Sequence, residues 1–241
     1  MSRRIVVTSG KGGVGKTTIV ANLGMQIAMS GSKTILIDVD IGLNNLDIAS
    51  GIDRRIRYDI VDVIEGKCRI NQAILRDEQC LNLYYLPTAH IYNVGKVGVS
   101  DMQKVINELE KMFDYIIIDC PAGIDSGFVR AIYGASEAIV IVTPHISSVR
   151  DADKVIGILI AHNITEIGLV VNRMRWDLVK KDKMLSPSNI QDCLDVKLLG
   201  VLSESDDISS SASVDGKIIV NTLQIEEEYM QLAKNVMNFE R

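Results

Sequence analysis

The chain has 241 residues, of which 47% are hydrophobic and 24% are charged, and its formal net charge at pH 7 is -5. This length supports one sizeable core and the composition marks no second one, so we expect a single domain over residues 1–241. The net negative charge argues against a protein that coats DNA without sequence preference. We do not expect a specific nucleic-acid partner either.

Two further features of the composition concern the compartment. No run of eighteen apolar residues occurs, and no apolar signal region follows Met1. These absences predict a protein that starts in the cytoplasm. The cysteines stand far apart, without a C-x-x-C pair, at Cys68, Cys80, Cys120 and Cys193. This spacing is typical of free thiols in a reducing compartment and contains no zinc pattern.

A glycine-rich stretch near the start of the chain lies between a predicted strand and a predicted helix. Arg4–Thr8 is a short β-branched run suited to a buried strand, and Ile19–Met29 can continue as a helix. Between them, Gly10–Thr18 fits the phosphate-binding pattern G-x-x-x-x-G-K-[ST]. The sequence therefore predicts an α/β P-loop fold, with a mostly parallel twisted sheet and helices on both faces.

The predicted loop has the chemistry of a site for ATP and Mg²⁺. Its glycines let backbone N–H groups point at phosphate oxygens, and the following helix adds the positive end of its dipole. Lys16 can reach the β and γ phosphates, and the Thr17 hydroxyl can join the ligands of Mg²⁺. We expect the nucleotide to contact the whole loop, which comprises Gly10, Lys11, Gly12, Gly13, Val14, Gly15, Lys16, Thr17 and Thr18.

A second lysine, Lys11, is not required by the ordinary loop pattern. It stands at the start of the loop, where it is poorly placed to contact the phosphates that the loop of the same subunit binds. With Lys16 it completes K-G-G-V-G-K-T-T, which resembles the deviant Walker A family of P-loop ATPases. That family includes ParA chromosome-partitioning proteins, nitrogenase iron protein and septum-site-determining ATPases. The resemblance implies an ATP-dependent homodimer in which Lys11 reaches the partner's phosphates. Such a cation stabilises charge on the transferring phosphoryl group, so Lys11 and Lys16 are both expected to act in catalysis.

The next predicted strand, Thr34–Ile37, ends at a carboxylate, Asp38, with Asp40 two residues further on. Ligands of open parallel sheets gather at the carboxyl ends of the strands, so both aspartates should face the phosphate loop and hold Mg²⁺ or its waters. The segment also resembles the first switch of the septum-site-determining members, which implies that Asp40 positions the attacking water. The alternative is that this carboxylate pair caps the next turn.

Several elements are predicted before the next carboxylate at a strand end. They are a solvated basic patch at Arg54–Arg57, a helix over Asp59–Glu65, a strand over Leu81–Leu86, a loop at 93–98 and a helix over Ser100–Lys111 with Ser100 as a possible N-cap. The stretch Tyr58–Gly66 also resembles the septum-site-determining members.

The apolar run Asp114–Asp119 predicts a strand that ends in a second Mg²⁺-sensing carboxylate, Asp119, expected to act on the outer shell of the ion. Cys120–Ile124 resembles the second switch of the same proteins, which implies a backbone N–H close to the γ-phosphate and a hinge at Gly123. Cys120 is expected to serve only as a small side chain in this segment, because an iron–sulfur role would need a second suitably placed cysteine.

Two later strands bring further candidates to the same edge. A buried strand ends near Pro144 and is followed by a helix over Ser148–His162, where the resemblance suggests that Asp151 holds Lys11 before dimerisation; a simple first-turn carboxylate is the alternative. The strand from Ile167 ends in Asn172 and Arg173, which suit the edge and face of adenine. The basic run Lys180–Lys183 is interpreted as a solvated loop rather than a contact for lipid or nucleic acid.

The end of the chain is predicted to contain a strand over Leu198–Leu202, a short Ser-rich helix ending near Gly216 and a packing helix over Ile225–Phe239. The septum-site-determining proteins commonly have a proline where this chain has Ser203 and an arginine where it has Asn44. The resemblance implies that the first difference alters the loop beside the base and the second a partner surface, and that neither removes a phosphate ligand. These proteins also carry a basic amphipathic membrane tail beyond the final helix, which we expect to be absent from this sequence.

The sequence thus favours an ATP-hydrolysing switch that dimerises with ATP, helps to place the division septum and turns over slowly until a partner completes the site. The resemblance implies a MinC-like division inhibitor, a MinE-like activator and, where a tail exists, the inner face of the cell membrane as partners. The alternatives are a ParA-type or flagellar-placement ATPase that positions DNA or other cargo, and a P-loop small-molecule ligase.

Overall fold

The computed structural model describes residues 2–39, 45–88, 97–205 and 223–239. Its centre is an eight-stranded sheet in the order β3-β4-β2-β5-β1-β6-β7-β8. The strands are β1 (Arg3–Thr8), β2 (Thr34–Asp38), β3 (Leu75–Arg76), β4 (Leu83–Leu86), β5 (Tyr115–Asp119), β6 (Glu137–Val142), β7 (Glu166–Met174) and β8 (Lys197–Ser203). All pair in parallel except the short edge strand β3, which runs antiparallel to β4. The predicted α/β fold with a mostly parallel sheet is confirmed.

The helices of the described residues cover both faces of this sheet. They are α1 (Lys16–Met29), α2 (Asn45–Ser50), α3 (Ile60–Ile64), α4 (Ile70–Ala73), α5 (Val99–Leu109), α6 (Ser126–Tyr133), α7 (Ile146–Ala161), α8 (Trp176–Val179), α9 (Pro187–Leu194) and α10 (Leu223–Met237), with a 3-10 turn at Asp53–Arg55. None of these helices is long and apolar enough to cross a membrane.

The hydrophobic core forms two layers because alternate residues of each strand point to opposite faces. On β1, Ile5 and Val7 belong to the layer covered by α1 and α10, whereas Val6 belongs to the layer covered by α5, α6 and α7. The apolar stripe predicted for the final helix is buried as expected, at Ile225, Tyr229, Leu232 and Val236. Both faces of the central strands are therefore dry, which explains their continuous β-branched sequences.

The topology determines where the site lies. β1 lies between β5 and β6 in the sheet. The strands β2 to β5 all lie on one side of β1, and β6 to β8 lie on its other side, so the direction in which strands are added reverses at β1. Ligands of open α/β sheets bind at the carboxyl edge where the strand order reverses in this way. The loop after β1, the end of β5 and the start of α7 therefore meet at one point.

Several predicted boundaries change in the structure. α1 begins at Lys16, so the end of the phosphate loop is already its first turn. α5 begins at Val99 after Gly98, whose N–H donates to Asp101 at 3.2 Å; the prediction of Ser100 as its N-cap was wrong because this carboxylate caps the helix instead. α6 was not predicted; Asp125 caps it by accepting the Gly127 N–H at 3.0 Å. Asp40, Asn44, residues 93–96 of the predicted loop and most of the Ser-rich helix lie outside the described residues.

The Arg3 side chain connects the first strand both to β6, through a buried ion pair, and to the last helix. The Arg3 guanidinium binds the Glu137 carboxylate on β6 and donates to the Val236 carbonyl at 2.7 Å and the Met237 carbonyl at 3.1 Å. It thereby satisfies carbonyls that the end of α10 leaves without intrahelical partners. The carboxylate raises the pKa of Arg3 against the opposing effect of burial.

Candidate nucleotide site

The glycine-rich loop joins β1 to α1, where the sequence predicted it. Gly15 is the N-cap residue of α1 and has φ 96° and ψ 23°, a left-handed conformation that disfavours a side chain. The N–H groups of the first turn of α1, which lack intrahelical partners, are therefore directed into the loop together with the positive end of the helix dipole. This geometry suits an anion such as a phosphate group.

Two glycines of the loop are needed for a second reason besides the turn: each lies so close to a neighbouring segment that a side chain would not fit. A Cβ atom on Gly15 would lie 2.5 Å from Nδ2 of Asn172, and a Cβ on Gly10 would lie 2.5 Å from the backbone carbon of Asp151. The loop is thus wedged between the end of β7 and the first turns of α7. The Asn172 amide also donates to the Val14 carbonyl at 2.7 Å, which ties the loop to β7.

The two loop lysines have different surroundings. Lys16 is 9% exposed, and its ammonium donates to Ser9 Oγ at 3.2 Å inside the loop. The Ser9 hydroxyl donates in turn to the Lys11 carbonyl at 2.7 Å. The Lys11 side chain is exposed, and its ammonium donates to Ser147 Oγ on α7 at 2.8 Å. One cation is therefore part of the loop's interior, and the other lies on its outer surface.

The prediction that Asp151 holds Lys11 was wrong in this structure. The Asp151 carboxylate pairs with Lys154, one turn further along α7, at 3.4 Å. Lys11 instead reaches the first turn of α7, where Ser147 meets it. Neither Ser147 nor Ser9 was singled out from the sequence, because a serine has no pattern that indicates a partner far along the chain.

The candidate metal residues come together on the β5 side of the loop. Thr17 Oγ1 donates to Asp119 Oδ2 at 2.7 Å, and Asp119 lies opposite Asp38 in the register of β5 and β2. Both carboxylates are almost fully buried. Asp38 also accepts the Leu46 N–H at 3.3 Å, so it contacts the start of α2 as well.

This set of donors fits Mg²⁺, which prefers oxygen ligands and keeps several waters. The described residues contain no group of three or more His, Cys, Asp or Glu side chains that could hold a metal on their own. Of the described residues, Thr17, Asp38 and Asp119 are the ones that could hold such an ion or its waters. Asp40, the remaining candidate, lies outside the described residues.

The segment after β5 runs beside the phosphate loop. A Cβ on Gly12 would lie 3.7 Å from Cβ of Ala122, so the two segments are in van der Waals reach. Gly123 has φ 88°, a conformation that glycine adopts without strain. Cys120 is buried behind this turn, and Ile124 is exposed in front of it. The segment predicted as the second switch therefore lies beside the phosphate loop.

The candidate base-binding residues lie where β7 leaves its regular pairing. The register with β8 shifts between Val171 and Met174, and Arg173 within this irregularity has φ 60°, which is uncommon for a residue with a side chain. Asn172 and Arg173 both line a cavity of about 120 Å³ beside Gly15 and Thr18. A larger cavity of about 300 Å³ lies between Lys11–Val14, the start of α7 and Arg173.

The far wall of the smaller cavity was predicted only in part: the resemblance placed the loop at Ser203 beside the base, but Tyr229 was not expected there. It is formed by Ser203 at the end of β8, by Glu204 and Ser205 after it, and by Tyr229 of α10. Burial, with a smaller contribution from the charge of Glu228, raises the pKa of Tyr229, so its hydroxyl stays protonated over the physiological range. The predicted apolar stripe found Tyr229 as a core residue but carried no signal that its edge would reach a cavity.

The fold and the loop together define a P-loop nucleotide-binding domain of the deviant Walker A class. Residues 2–161 match the model of an AAA domain family. The chain is 47% identical to the septum site-determining protein MinD of Synechocystis over 92% of this chain and 80% of that protein. It therefore belongs to the MinD family of division-site ATPases.

Solved structures support the same assignment. The structure resembles MinD of Aquifex aeolicus in its MinC:MinD complex, with a TM-score of 0.90, 37% identity and coverage of 98% of this chain and 96% of that chain. It also resembles MinD of Pyrococcus horikoshii complexed with Mg-ADP, with a TM-score of 0.86, 31% identity and the same coverage.

Proposed function

We propose that this chain binds ATP with Mg²⁺, pairs with a second copy of itself in that state, and separates again after hydrolysis. The observation that carries the proposal is the different placement of its two lysines: Lys16 is buried inside the loop, whereas Lys11 is exposed and, among the described residues, its ammonium donates to the neutral Ser147 hydroxyl. A cation that faces outward at the mouth of a phosphate site is available to a second subunit.

The chemistry of hydrolysis follows from positioning and charge. A transferring phosphoryl group spreads negative charge over its oxygens, and cations that meet it in a site closed to water stabilise that charge. Lys16 supplies one cation within the subunit, and Lys11 of the partner would supply the other. Asp40 is proposed to orient the attacking water, and Thr17, Asp38 and Asp119 to bind Mg²⁺ and its waters. Since the partner completes the site, hydrolysis by a single subunit should be slow.

The base is proposed to occupy the smaller cavity. The Asn172 amide donates to the Val14 carbonyl, which leaves Oδ1 as an acceptor for the amino group of adenine. Guanine has a carbonyl oxygen at the same position and would meet an acceptor. Arg173 can stack on the ring or approach the phosphates.

The cellular role is proposed from the family. The complex of the Aquifex relative supports a MinC-like division inhibitor as a partner of the paired state, and a MinE-like protein is proposed as the activator of hydrolysis. We also propose peripheral binding to the inner face of the cell membrane in the ATP state, through a tail beyond α10 where the full protein carries one.

Mass in solution tests the switch most directly. The Asp40→Ala variant should hold the triphosphate state, and light scattering with Mg²⁺ should give a dimer with ATP and a monomer with ADP. Wild-type protein with ATP should start as a dimer and return to a monomer as phosphate is released. A chain that stays monomeric with every nucleotide, although it binds them, would refute the switch and leave a nucleotide-binding protein.

A further inference from the structure

The last helix holds the end of β8 through two hydrogen bonds to one carboxylate. The Ser203 N–H donates to Glu228 Oε2 at 2.8 Å, and the Ser203 hydroxyl donates to Glu228 Oε1 at 2.6 Å. Both bonds are assisted by the negative charge of the carboxylate, and such bonds are about twice as strong as neutral ones. Glu228 lies on α10, so a helix late in the chain fixes the position where β8 ends.

The segment that Glu228 fixes is a wall of the smaller cavity. Ser203, Glu204 and Ser205 line it on one side, and Tyr229, the residue after Glu228, lines it as well. The Glu204 N–H donates to the Met174 carbonyl at 3.0 Å, which secures the other side of the same turn to β7. The wall is thus attached both to β7 and to α10.

The phosphate-binding residues have other supports. Lys11, Lys16 and Thr17 contact Ser147, Ser9 and Asp119, respectively. These contacts do not pass through Glu228. A change at Glu228 should therefore affect the cavity wall without altering the side chains that meet the phosphates.

We infer that Glu228 is a positioning residue for the base of the bound nucleotide, acting through Ser203 on the wall of the smaller cavity. This rests on the proposed function, because it assigns that cavity to the base. It also gives Ser203 a role: a proline, which the family resemblance leads one to expect at this position, has neither an N–H nor a hydroxyl and could donate neither bond.

The test separates the base from the phosphates by comparing two ligands. Dissociation constants for ADP and for inorganic tripolyphosphate, each with Mg²⁺, are measured by calorimetry on the full chain. The variants are Glu228→Ala, Glu228→Gln, which keeps one acceptor oxygen, and Glu227→Ala as a matched control at an exposed position of the same helix. Thermal unfolding of each variant without ligand shows whether it is folded.

Glu228→Ala should weaken ADP binding roughly tenfold, the order expected from losing charge-assisted hydrogen bonds. Glu228→Gln should restore part of the loss, and Glu227→Ala should change nothing. Tripolyphosphate binding should be the same in all four proteins. Equal losses for both ligands in the folded Glu228→Ala variant, or no loss for either, would overturn the inference and leave the phosphate site standing.

A second variant keeps the inference testable should Glu228→Ala fail to fold. Ser203→Ala removes only the hydroxyl bond and should weaken ADP about threefold, again without an effect on tripolyphosphate. Unchanged ADP binding in this variant would overturn the inference. The inference is also overturned if the wild-type protein binds tripolyphosphate and the base of ADP adds nothing to the binding affinity. If the wild-type protein binds neither ligand, the proposed function itself is refuted.

Discussion

The Lys11 ammonium donates a hydrogen bond to the Ser147 hydroxyl at 2.8 Å, so the outer lysine of the phosphate loop is bound to the first turn of α7. The hydroxyl carries no charge opposite to that of the ammonium, and the pair is exposed, so solvent weakens this contact. A carboxylate would have held the same cation more tightly. The resting contact is therefore weak enough to exchange for a phosphate of a second subunit.

Replacing Lys11 by alanine should separate binding from dimerisation. We expect Lys11→Ala to bind ATP within about threefold of the wild type, since Lys16 remains, but to stay monomeric and to lose hydrolysis by roughly 10³-fold or more, the range known for trans-acting cations. Equilibrium binding, light scattering and phosphate release measure the three properties.

Two variants on α7 serve as controls for Lys11→Ala. Ser147→Ala keeps the lysine and removes its resting partner, so ATP-dependent pairing should persist or become tighter. Lys154→Ala removes an exposed cation of the same helix and should leave both pairing and hydrolysis unchanged. Turnover at the wild-type rate in Lys11→Ala would contradict the role of Lys11 in the partner's site.

The contact between Thr17 and Asp119 predicts a change in metal dependence. Asp119→Asn keeps the shape of the side chain and removes its charge, so half-maximal hydrolysis should need roughly 10- to 100-fold more Mg²⁺, as is usual when an outer-shell partner of a metal is lost. Asp114→Asn makes the same chemical change at the other end of the β5 region, where the Asp114 carboxylate accepts the Lys33 N–H at 2.8 Å. That variant should keep the wild-type Mg²⁺ requirement.

The pair of Arg3 and Glu137 predicts a strong effect on stability. Its side chains are 12% and 4% exposed, so removing either partner breaks a buried ion pair and takes an opposite charge away from the one that remains. Arg3→Met or Glu137→Gln should lower the free energy of unfolding by about 3–5 kcal/mol, measured in urea, whereas the double variant Arg3→Met/Glu137→Met should lose less than the sum of the single changes. Strictly additive losses would show that the two side chains do not stabilise the fold as a pair.

Stability should decline at alkaline pH partly through Tyr229. The unfolded phenol ionises near pH 10, and burial raises the pKa of Tyr229 in the folded chain. Above about pH 10 the folded protein retains a proton that the unfolded chain has lost, so the free energy of unfolding falls by up to about 1.4 kcal/mol per pH unit from this residue; below about pH 10 the stabilisation is fully present.

Tyr229→Phe should flatten this decline, because phenylalanine has no proton to lose. Urea unfolding between about pH 8 and about pH 11 measures the slope. Tyr58→Phe removes an exposed hydroxyl and is the matched control, with the slope of the wild type expected. A Tyr229→Phe slope as steep as that of the wild type would contradict the prediction.

Part of the site could be predicted because its signals are local or topological. The spacing of Gly10 to Thr18 between a strand and a helix is a short-range pattern, and the structure has the loop between β1 and α1. Asp38 and Asp119 are each the last residue of a buried strand, and the carboxyl ends of parallel strands meet at one edge, so their proximity followed from the fold class.

Other contacts of the site could not be predicted from the sequence. Ser147 meets Lys11 across 136 positions of the chain, and Glu228 meets Ser203 across 25. Serines and glutamates are common on surfaces, and nothing local marks the one that will find a distant partner. The assignment of Asp151 to Lys11 failed for the same reason, since a helix presents a carboxylate and a hydroxyl one turn apart and only packing selects between them.

The sequence by itself determined the loop, the apolar strands and the amphipathic helices, because these depend on residue types at short, regular spacings. The tertiary structure alone decided which hydroxyl holds the outer lysine, which helix closes the smaller cavity and which glycines touch a neighbouring element. Those contacts are made by segments far apart in the chain, and they exist only once the sheet order brings the segments to the same edge.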